Sequence, residues 1–137
     1  MQFLCHDGTG RVLLHRRGPQ ARDHRGDWDG GAGGVEFGES LLEAVVREVR
    51  EEYGLEAIVD EQLLSYTISR ENDNHKTHWI GTPFLIRVDG AAQIKKEEGY
   101  VDEIGWFAID TLPEPLHPGL RMVLENFKEA LKKHSKT

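Results

Sequence analysis

Three glutamates, Glu48, Glu51 and Glu52, stand close together in the sequence, shortly after a glycine-rich segment. If they lie on a helix, which turns by about 100° per residue, Glu51 and Glu52 flank Glu48 at roughly −60° and +40°. Residues three and four apart on a helix have Cβ atoms about 5 to 6 Å from each other, so ionised carboxylates there repel unless a cation neutralises them. Carboxylate oxygens are hard ligands that suit Mg²⁺ and Mn²⁺. The spacing therefore predicts a divalent cation site.

The apolar residues around these glutamates predict the helix that carries them. They recur at the i, i+3, i+4, i+7 spacing of a helix that packs on a core. They are Leu42, Val45, Val46, Val49 and Tyr53. A Glu-rich helix is often only a solvated face, on which Arg47 and Arg50 would pair with neighbouring carboxylates. Taken alone, the acidic cluster leaves this solvated face as the alternative to a metal site.

The wider spacing between Gly33 and Leu55 favours the metal site. The segment matches the pattern G-x5-E-x7-R-E-U-x-E-E-x-G-U, in which U is aliphatic, at every position. The fixed residues are Gly33, Glu39, Arg47, Glu48, Glu51, Glu52 and Gly54, with Val49 and Leu55 at the aliphatic positions. Chance matches to the fixed residues occur with a probability on the order of 10⁻⁸ per starting position. The segment resembles the Nudix box of the Nudix hydrolase family.

This resemblance implies a reaction and a set of site residues. Nudix hydrolases cleave a nucleoside diphosphate linked to another group, X, and use Mg²⁺ or Mn²⁺ to assist the attack of water on phosphorus. Bound cations neutralise phosphate oxygens and lower the pKa of a coordinated water. The residues implied are Glu48, Glu51 and Glu52 as catalytic metal ligands, the backbone carbonyl of Gly33 as a further ligand, Arg47 as a catalytic residue and Glu39 as a supporting residue.

Alternation of apolar residues and turn residues predict the elements that must position this helix. Strands are predicted at 3–5, 11–15, 57–71, 77–88 and 104–109, with 3–5 and 11–15 forming one hairpin and 57–71 and 77–88 a large antiparallel one. Residues 17–29 form a predicted loop, and Pro83 predicts an edge-like or bulged strand because proline cannot donate to a ladder. From Gly119 a second amphipathic helix is predicted, followed by about four frayed residues.

These elements and the resemblance together imply a fold class. The class is α/β, a Nudix-type α/β/α sandwich with a mixed β-sheet, one central catalytic helix and a C-terminal helix. A single domain is expected over residues 1–137, because a chain of this length supports one core.

Composition limits the partners and the cellular location. The chain has 24 acidic and 17 basic residues and a net charge of −7, which argues against an extended nucleic-acid surface. Cys5 is the only cysteine, so no internal disulfide is expected and a cytoplasmic location is predicted. No stretch reaches the roughly 18 apolar residues of a membrane span, and no export signal is expected. The oligomeric state stays open, with a homodimer as one option.

Several residues outside the box are candidates for substrate contact. Arg16 and Arg17 end a predicted strand whose LLxRR pattern resembles the family strand that contacts substrate phosphate, and strand alternation lets only one of them face the cleft. Trp79 is a candidate platform for nucleobase stacking, as are Trp28 and Tyr66, although an aromatic residue on a strand more often packs in a core.

A second source of carboxylates is the charged segment before the last strand. Some Nudix hydrolases place the general base on such a loop, and Glu98, with Glu97 beside it, is the candidate here; Glu103 is a further one. The histidines are scattered without a ligand spacing such as HxxxH, so no zinc site is expected.

Downstream markers of several Nudix subgroups are missing. The proline of ADP-ribose hydrolases, the tyrosine of dinucleoside polyphosphate hydrolases and the SQPWPFPxS array of NADH hydrolases are all absent after the box. A nucleoside triphosphate pyrophosphatase of the housecleaning type is therefore predicted. The alternatives are an ADP-ribose or nucleotide-sugar pyrophosphatase, and a non-catalytic Nudix module for ligand sensing or protein interaction. Isopentenyl diphosphate isomerase shares the fold but needs a catalytic cysteine that Cys5 does not supply.

Overall fold

A computed structural model describes residues 1–135, which form eight strands and two helices. The elements are β1 (Gln2–His6), β2 (Arg11–Arg17), β3 (Trp28–Asp29), α1 (Leu41–Tyr53), β4 (Ile58–Gln62), β5 (Tyr66–Asn72), β6 (His75–Gly81), β7 (Pro83–Arg87), β8 (Val101–Ala108) and α2 (Pro118–His134). Part of the predicted frayed tail, Lys136 and Thr137, lies outside the described residues.

Six of the strands form one mixed sheet. The order of five of them is β3-β2-β1-β7-β4. The sixth strand, β8, lies outside this order and pairs with β2. The β1–β7 pair is parallel, whereas β1–β2, β2–β3, β2–β8 and β4–β7 are antiparallel. The predicted hairpin of the first two strands is confirmed by the β1–β2 pairing.

A helix covers each face of this sheet. Side chains along a strand point alternately to opposite faces, so neighbouring residues enter different cores. Residues from α1 pack with one face of the sheet, and this core contains Val45, Val49, Tyr53, Phe3, Leu13, Phe84 and Ile86. Residues from α2 pack with the other face, in a core that contains Leu120, Val123, Phe127, Leu4, Val12, Leu14 and Leu85. The predicted α/β/α sandwich is confirmed.

The ends of α1 are fixed by local interactions. Ser40 is the N-cap residue, and its side chain accepts a hydrogen bond from the backbone of Glu43, whose carboxylate accepts one in return from the Ser40 backbone. Gly54 ends the helix with φ of 69°, a left-handed conformation that favours glycine. Because both ends are fixed, the glutamates between them keep a defined orientation toward the sheet.

The predicted long hairpin is divided into two pairs of strands. β4 and β7 join the main sheet, while β5 and β6 form a separate two-stranded sheet. The prediction of an edge-like or bulged strand at Pro83 is wrong, since β7 lies between β1 and β4 and the register shift is in β4, between Val59 and Glu61. Pro83 is the first residue of its strand, a position where the missing N–H costs no ladder bond.

Two further differences concern short elements. The predicted loop over 17–29 contains β3, whose two residues are too few to show a periodic pattern. β8 begins at Val101, before the predicted start of the last strand, and pairs with β2 as far as Ala108. This pairing places the charged segment before β8 beside the end of β2.

Candidate active site

Glu48 and Glu52 lie on α1 directly beneath the glycine-rich segment. A Cβ atom on Gly33 would lie 2.6 Å from Glu48 Oε1, and one on Gly31 would lie 2.9 Å from Glu52 Oε2. Glycine is therefore required at both positions to let the segment cross the two carboxylates this closely. The carbonyl of Gly33, predicted as a metal ligand, accepts a hydrogen bond of 2.7 Å from the Met1 amino group.

Glu52 is a partly buried carboxylate that forms no ion pair within residues 1–135. Burial raises its pKa well above the usual range, and the nearby charges of Glu48, Asp29 and Glu97 raise it further, against a smaller opposing effect of Arg17. An ionised carboxylate in such surroundings is stabilised by a bound cation. Glu48 and Glu52 offer carboxylate oxygens of the kind that Mg²⁺ and Mn²⁺ prefer, and the Gly33 carbonyl, which accepts from Met1, is a further oxygen of the same type.

Glu51, the third predicted ligand, lies at the solvent side of this pair. Its side chain is more than half exposed, and its carboxylate is held 3.2 Å from Arg47 Nη1. The structure thus places Glu48 and Glu52, both partly buried, near each other and Glu51 at the exposed margin of the same cluster.

Arg47 connects the glutamates of the box. Its guanidinium forms a bidentate ion pair with Glu39, with Nε 2.7 Å from Oε2 and Nη2 2.9 Å from Oε1. Its Nη1 donates to Glu48 Oε1 at 2.7 Å, and Nη2 donates to the carbonyl of Gly34 at 2.9 Å. The hydrogen bonds from Arg47 lower the pKa of Glu39 to about 2. Arg47 therefore links Glu39 to Glu48, and the catalytic role of Arg47 and the supporting role of Glu39 stay predictions.

Replacing Arg47 by lysine is expected to lower turnover by about 10 to 100-fold and to weaken the apparent affinity for Mg²⁺. Lysine keeps the charge but cannot hold Glu39 and Glu48 in one planar arrangement. The measurement is turnover as a function of Mg²⁺ concentration. Arg50→Lys is the matched control, because Arg50 lies on the same helix and pairs only with exposed Glu56 in the described chain. Equal Mg²⁺ curves for the two variants would contradict the role of Arg47.

Two adjoining cavities form a cleft that starts at Glu52. The first, of about 310 Å³, is lined by residues that include Glu52, His15 and Glu97. The second, of about 470 Å³, is lined by residues that include Gly33 and Trp79. The residues shared by both cavities are Arg17, Arg22, Asp29 and Ala32. The cleft therefore runs from Glu52, past Arg17, to Trp79 on β6.

Strand alternation places only one of the two predicted arginines in the cleft. Arg17 lines both cavities and is held by Asp23, whose Oδ1 accepts a 2.9 Å hydrogen bond from Nη2. Arg16 points to the other face of β2, where it pairs with Asp102 and Glu103 at 3.0 Å each. This arrangement favours Arg17 as the substrate-binding candidate, and Arg16 lies outside the described cleft.

In the segment before β8, the cleft carboxylate is Glu97. Both Glu97 and Glu98 are exposed, but only Glu97 lines the cavity that contains Glu52. Glu103 is engaged by Arg16. The placement favours Glu97 over Glu98 for the predicted general base on this loop.

The three aromatic candidates have different surroundings. Trp79 is 45% exposed, lines the second cavity, and has the guanidinium groups of Arg22 and Arg70 at 5.9 and 5.8 Å from its ring centroid. Tyr66 lines the same cavity and donates its hydroxyl to Gln2. Trp28 is buried in the core on the α2 side, edge-on to a phenylalanine ring. Trp79 and Tyr66 therefore remain candidates for base stacking, and Trp28 is a core residue.

A buried hydrogen-bond chain that the sequence does not predict lies beside Glu52. The hydroxyl of Tyr53 donates to the carbonyl of Gly30 and lies 2.7 Å from His15 Nδ1. Because this hydroxyl has one hydrogen, which is given to the carbonyl, His15 Nδ1 must be the donor to it. The neutral ring of His15 therefore has its lone pair on Nε2. The alternation in LLHRR, which places His15 on the same face as Arg17, was the available signal.

Replacing Tyr53 by phenylalanine is expected to lower the free energy of unfolding by about 1 to 3 kcal/mol, since it leaves the buried His15 N–H and the Gly30 carbonyl without a partner. Denaturant unfolding measures the change. The control is Tyr100→Phe, because Tyr100 is half exposed and its hydroxyl forms no hydrogen bond within the described chain. Equal denaturation midpoints for the two variants would show that the hydrogen bonds between His15, Tyr53 and Gly30 do not stabilise the protein.

The fold also brings together histidines that are distant in sequence. Ligand atoms of Asp23, His24 and His117 lie within 4.8 Å of one another. However, His117 Nδ1 accepts a 3.0 Å hydrogen bond from the backbone N–H of Gly119, so the neutral ring carries its proton on Nε2. A metal-ligating histidine instead donates its other N–H, and Asp23 is already engaged by Arg17. These hydrogen bonds argue against a metal ion at this cluster.

Neither helix of the described chain is long and apolar enough to cross a membrane.

Comparison with known proteins identifies the family. The model of the NUDIX domain matches residues 3–127. The NAD-capped RNA hydrolase NudC of Chromobacterium violaceum is 36% identical over 104 residues, which are 76% of this chain and 36% of that protein. The CTP pyrophosphohydrolase of Escherichia coli is 46% identical over 57 residues, 42% of each chain. The human 8-oxo-dGDP phosphatase NUDT18 is 34% identical over 97 residues, 69% of this chain and 28% of that protein. The matches span less than half the length of these relatives.

Solved structures agree with this assignment. The MutT NUDIX hydrolase from Burkholderia pseudomallei superposes with a TM-score of 0.64 at 26% identity, covering 90% of this chain and 95% of that one. The MutT protein from Methanosarcina mazei has a TM-score of 0.67 at 28% identity and covers 93% of this chain and 90% of its own. Because the family model matches most of this chain and the solved Nudix structures share its fold, the chain belongs to the Nudix hydrolase family.

Proposed function

We propose that this chain is a Mg²⁺- or Mn²⁺-dependent nucleoside triphosphate pyrophosphatase, which hydrolyses its substrate by attack of water on phosphorus. One observation carries the proposal. The partly buried carboxylate of Glu52, beside Glu48 and under the Gly31–Gly33 backbone, lies at one end of a cleft that continues past Arg17 to Trp79. This order of groups matches the order of phosphates, sugar and base in a nucleotide.

The metal would be held at the carboxylate end of the cleft. Glu48, Glu52 and the carbonyl of Gly33 would be ligands, and Glu51 would join them from the margin. A bound Mg²⁺ or Mn²⁺ supplies charge neutralisation for the phosphates and a more acidic water. Arg47 holds Glu48 through a 2.7 Å hydrogen bond and so fixes the direction of that carboxylate.

Other residues of the cleft would bind the substrate and handle protons. Arg17 offers a guanidinium that Asp23 already holds in place, and such a fixed group loses little freedom when it binds a phosphate. Glu97, which lines the same cavity as Glu52, would accept a proton from the attacking water. Trp79 would stack on the base, with about 1 to 3 kcal/mol available from such a contact.

The named activities of the relatives support a nucleotide substrate. They are described as acting on NAD-capped RNA, CTP and 8-oxo-dGDP, and each of these contains a phosphoric anhydride next to a nucleoside. A non-catalytic module is disfavoured because every carboxylate of the box is present and because Glu52, among other carboxylates, is unfavourable in its ionised form unless a cation binds. A cytoplasmic location fits this substrate and the single buried thiol of Cys5.

The experiment is release of phosphate and pyrophosphate from a panel of substrates. The panel contains the common and oxidised nucleoside triphosphates, ADP-ribose, nucleotide sugars and dinucleoside polyphosphates, each with Mg²⁺, Mn²⁺ or EDTA. We expect metal-dependent release of pyrophosphate and a nucleoside monophosphate from one or more triphosphates. Turnover of ADP-ribose or of nucleotide sugars alone would overturn the substrate class, and a lack of turnover in a folded, metal-binding sample would overturn the enzymatic proposal.

A further inference from the structure

His117 is a buried histidine at the start of α2 that the proposed reaction does not use. It is 6% exposed and is the N-cap residue of the helix. Its Nδ1 accepts a 3.0 Å hydrogen bond from the backbone N–H of Gly119. Burial lowers the pKa of His117; the charge of Asp29 raises it and that of Arg17 lowers it again, and the net shift is downward, so the ring is neutral near pH 7. The single proton of the neutral ring therefore lies on Nε2.

This assignment of the proton is fixed by the backbone. A free neutral imidazole can exchange donor and acceptor between its two nitrogens, but a backbone N–H can only donate, so Nδ1 of His117 must stay an acceptor. The surrounding wall is fixed as well. Gln2 Nε2 donates to the Gly119 carbonyl at 2.9 Å, and the Tyr66 hydroxyl donates to Gln2 Oε1 at 2.7 Å. His117 Nε2 is thus a donor that cannot become an acceptor without breaking the helix cap.

The side chain of His117 lines the cleft. It is among the residues around the 470 Å³ cavity that also contains Trp79 and Gly33. Within residues 1–135, no hydrogen-bond acceptor pairs with His117 Nε2. Nε2 is not among the fully buried side-chain atoms that lack a partner, so it is accessible, and a bound molecule in the cavity can accept its hydrogen bond.

We infer that His117 is a specificity-determining residue, which donates a hydrogen bond from Nε2 to a carbonyl oxygen of a nucleobase stacked on Trp79. The inference rests on the proposed function only in taking the ligand to be a nucleotide. An exocyclic oxygen projects from the ring and accepts this hydrogen bond. An amino group at the same ring position is itself a donor, so it cannot pair with the Nε2–H of His117. The site therefore selects 6-oxopurines over 6-aminopurines and 4-oxopyrimidines over 4-aminopyrimidines.

The test measures binding of nucleoside monophosphates by calorimetry, which requires no turnover. The pairs are IMP with AMP and UMP with CMP, since the members of each pair differ at the oxo or amino position. We expect the wild type to bind the oxo member at least about tenfold more tightly in one or both pairs. In His117→Asn this ratio should fall toward one, because asparagine keeps an N-cap but lacks the Nε2 donor.

His24→Asn is the matched control. His24 contacts the His117 ring edge-on with centroids 4.8 Å apart, does not line the 470 Å³ cavity, and has φ of 49°, which asparagine tolerates. This variant should keep the wild-type ratio. A wild-type ratio near one in both pairs, or a ratio that survives in His117→Asn, would overturn the inference.

A second measurement on the wild type covers the case in which His117→Asn does not fold. Imidazole ¹⁵N and ¹H spectra should show a proton on Nε2 and none on Nδ1, and IMP but not AMP should shift the Nε2 proton. A proton on Nδ1, or the same shift with both ligands, would overturn the inference. Failure of the proposed function is distinguishable, because discrimination between monophosphates without hydrolysis of any triphosphate would refute the reaction and leave the role of His117 intact.

Discussion

Glu52→Gln is expected to lower turnover by at least about 10²-fold while leaving the protein folded. The substitution removes a negative charge from the group that would hold the metal and keeps almost the same volume. Glu48→Gln should have an effect of the same order, because the backbone of Gly33 also lies directly against Glu48 and Arg47 donates a hydrogen bond to its carboxylate. The measurement is turnover at saturating Mg²⁺ with the best substrate of the panel.

The same variant should make the metal-free protein more stable at neutral pH. Burial and neighbouring carboxylates raise the pKa of Glu52 in the folded state above its unfolded value. For a group of this kind, stability is fully present below the unfolded pKa and is lost as pH rises through the folded pKa. The stability gain of Glu52→Gln over the wild type should therefore grow with rising pH. Added Mg²⁺ should reduce this difference in the free energy of unfolding, because it binds and stabilises only the wild type.

Glu56→Gln is the control for both effects. Glu56 is exposed and pairs with Arg50 beyond the end of the helix. Its replacement should change neither turnover nor the Mg²⁺ dependence of the melting temperature. A Glu52→Gln variant with near-normal turnover would show that the box is not the active centre. A metal-free variant less stable than the wild type at pH 7 would contradict the electrostatic account of Glu52.

Gly33→Ala is expected to lower turnover by about 10²-fold through sterics alone. The backbone of Gly33 is not in the left-handed region, so alanine causes no backbone strain there. Its Cβ atom would lie within 2.6 Å of both Cγ and Oε1 of Glu48, and Glu48 must move. A displacement of about 1 Å in a catalytic group is enough for a loss of this size.

The adjacent residue supplies the matched control for this second prediction. A Cβ atom on Gly34 would have no atom within 4 Å, so Gly34→Ala should keep its activity and its Mg²⁺ dependence. Both variants replace a glycine by alanine, and they differ only in the position, 33 or 34. Equal activities would show that the close approach of the glycine segment to Glu48 is unimportant for function.

Local pattern was sufficient to identify the family and the main catalytic element. The Nudix box depends on spacing within 23 residues, and a helix places residues at fixed angles, so the sequence of Gly33 to Leu55 implies both the helix and the cluster of carboxylates. The family and the α/β/α sandwich are confirmed. Alternation along β2 also showed that Arg16 and Arg17 face opposite sides, although it could not say which of them faces the cleft.

Pattern was insufficient where a side chain's role depends on distant partners. Glu97 and Glu98 are neighbours of the same type, and only the tertiary structure shows that Glu97, and not Glu98, lines the cavity that contains Glu52. Pro83 suggested an edge strand, but β1 pairs with β7 and places it in the middle of the sheet. Such pairings depend on contacts between residues far apart in the chain.

The buried histidines show most clearly what a local pattern predicts and what depends on contacts with distant residues. Their residue type and approximate position could be seen in the sequence, but the nitrogen that carries the proton is set by partners 38 residues away for His15 and by a helix cap for His117. Periodicity determines which face of an element a side chain occupies, because backbone geometry repeats along the chain. Only the tertiary structure determines which donor or acceptor meets it there, because hydrogen bonds depend on distances and directions that no local pattern encodes.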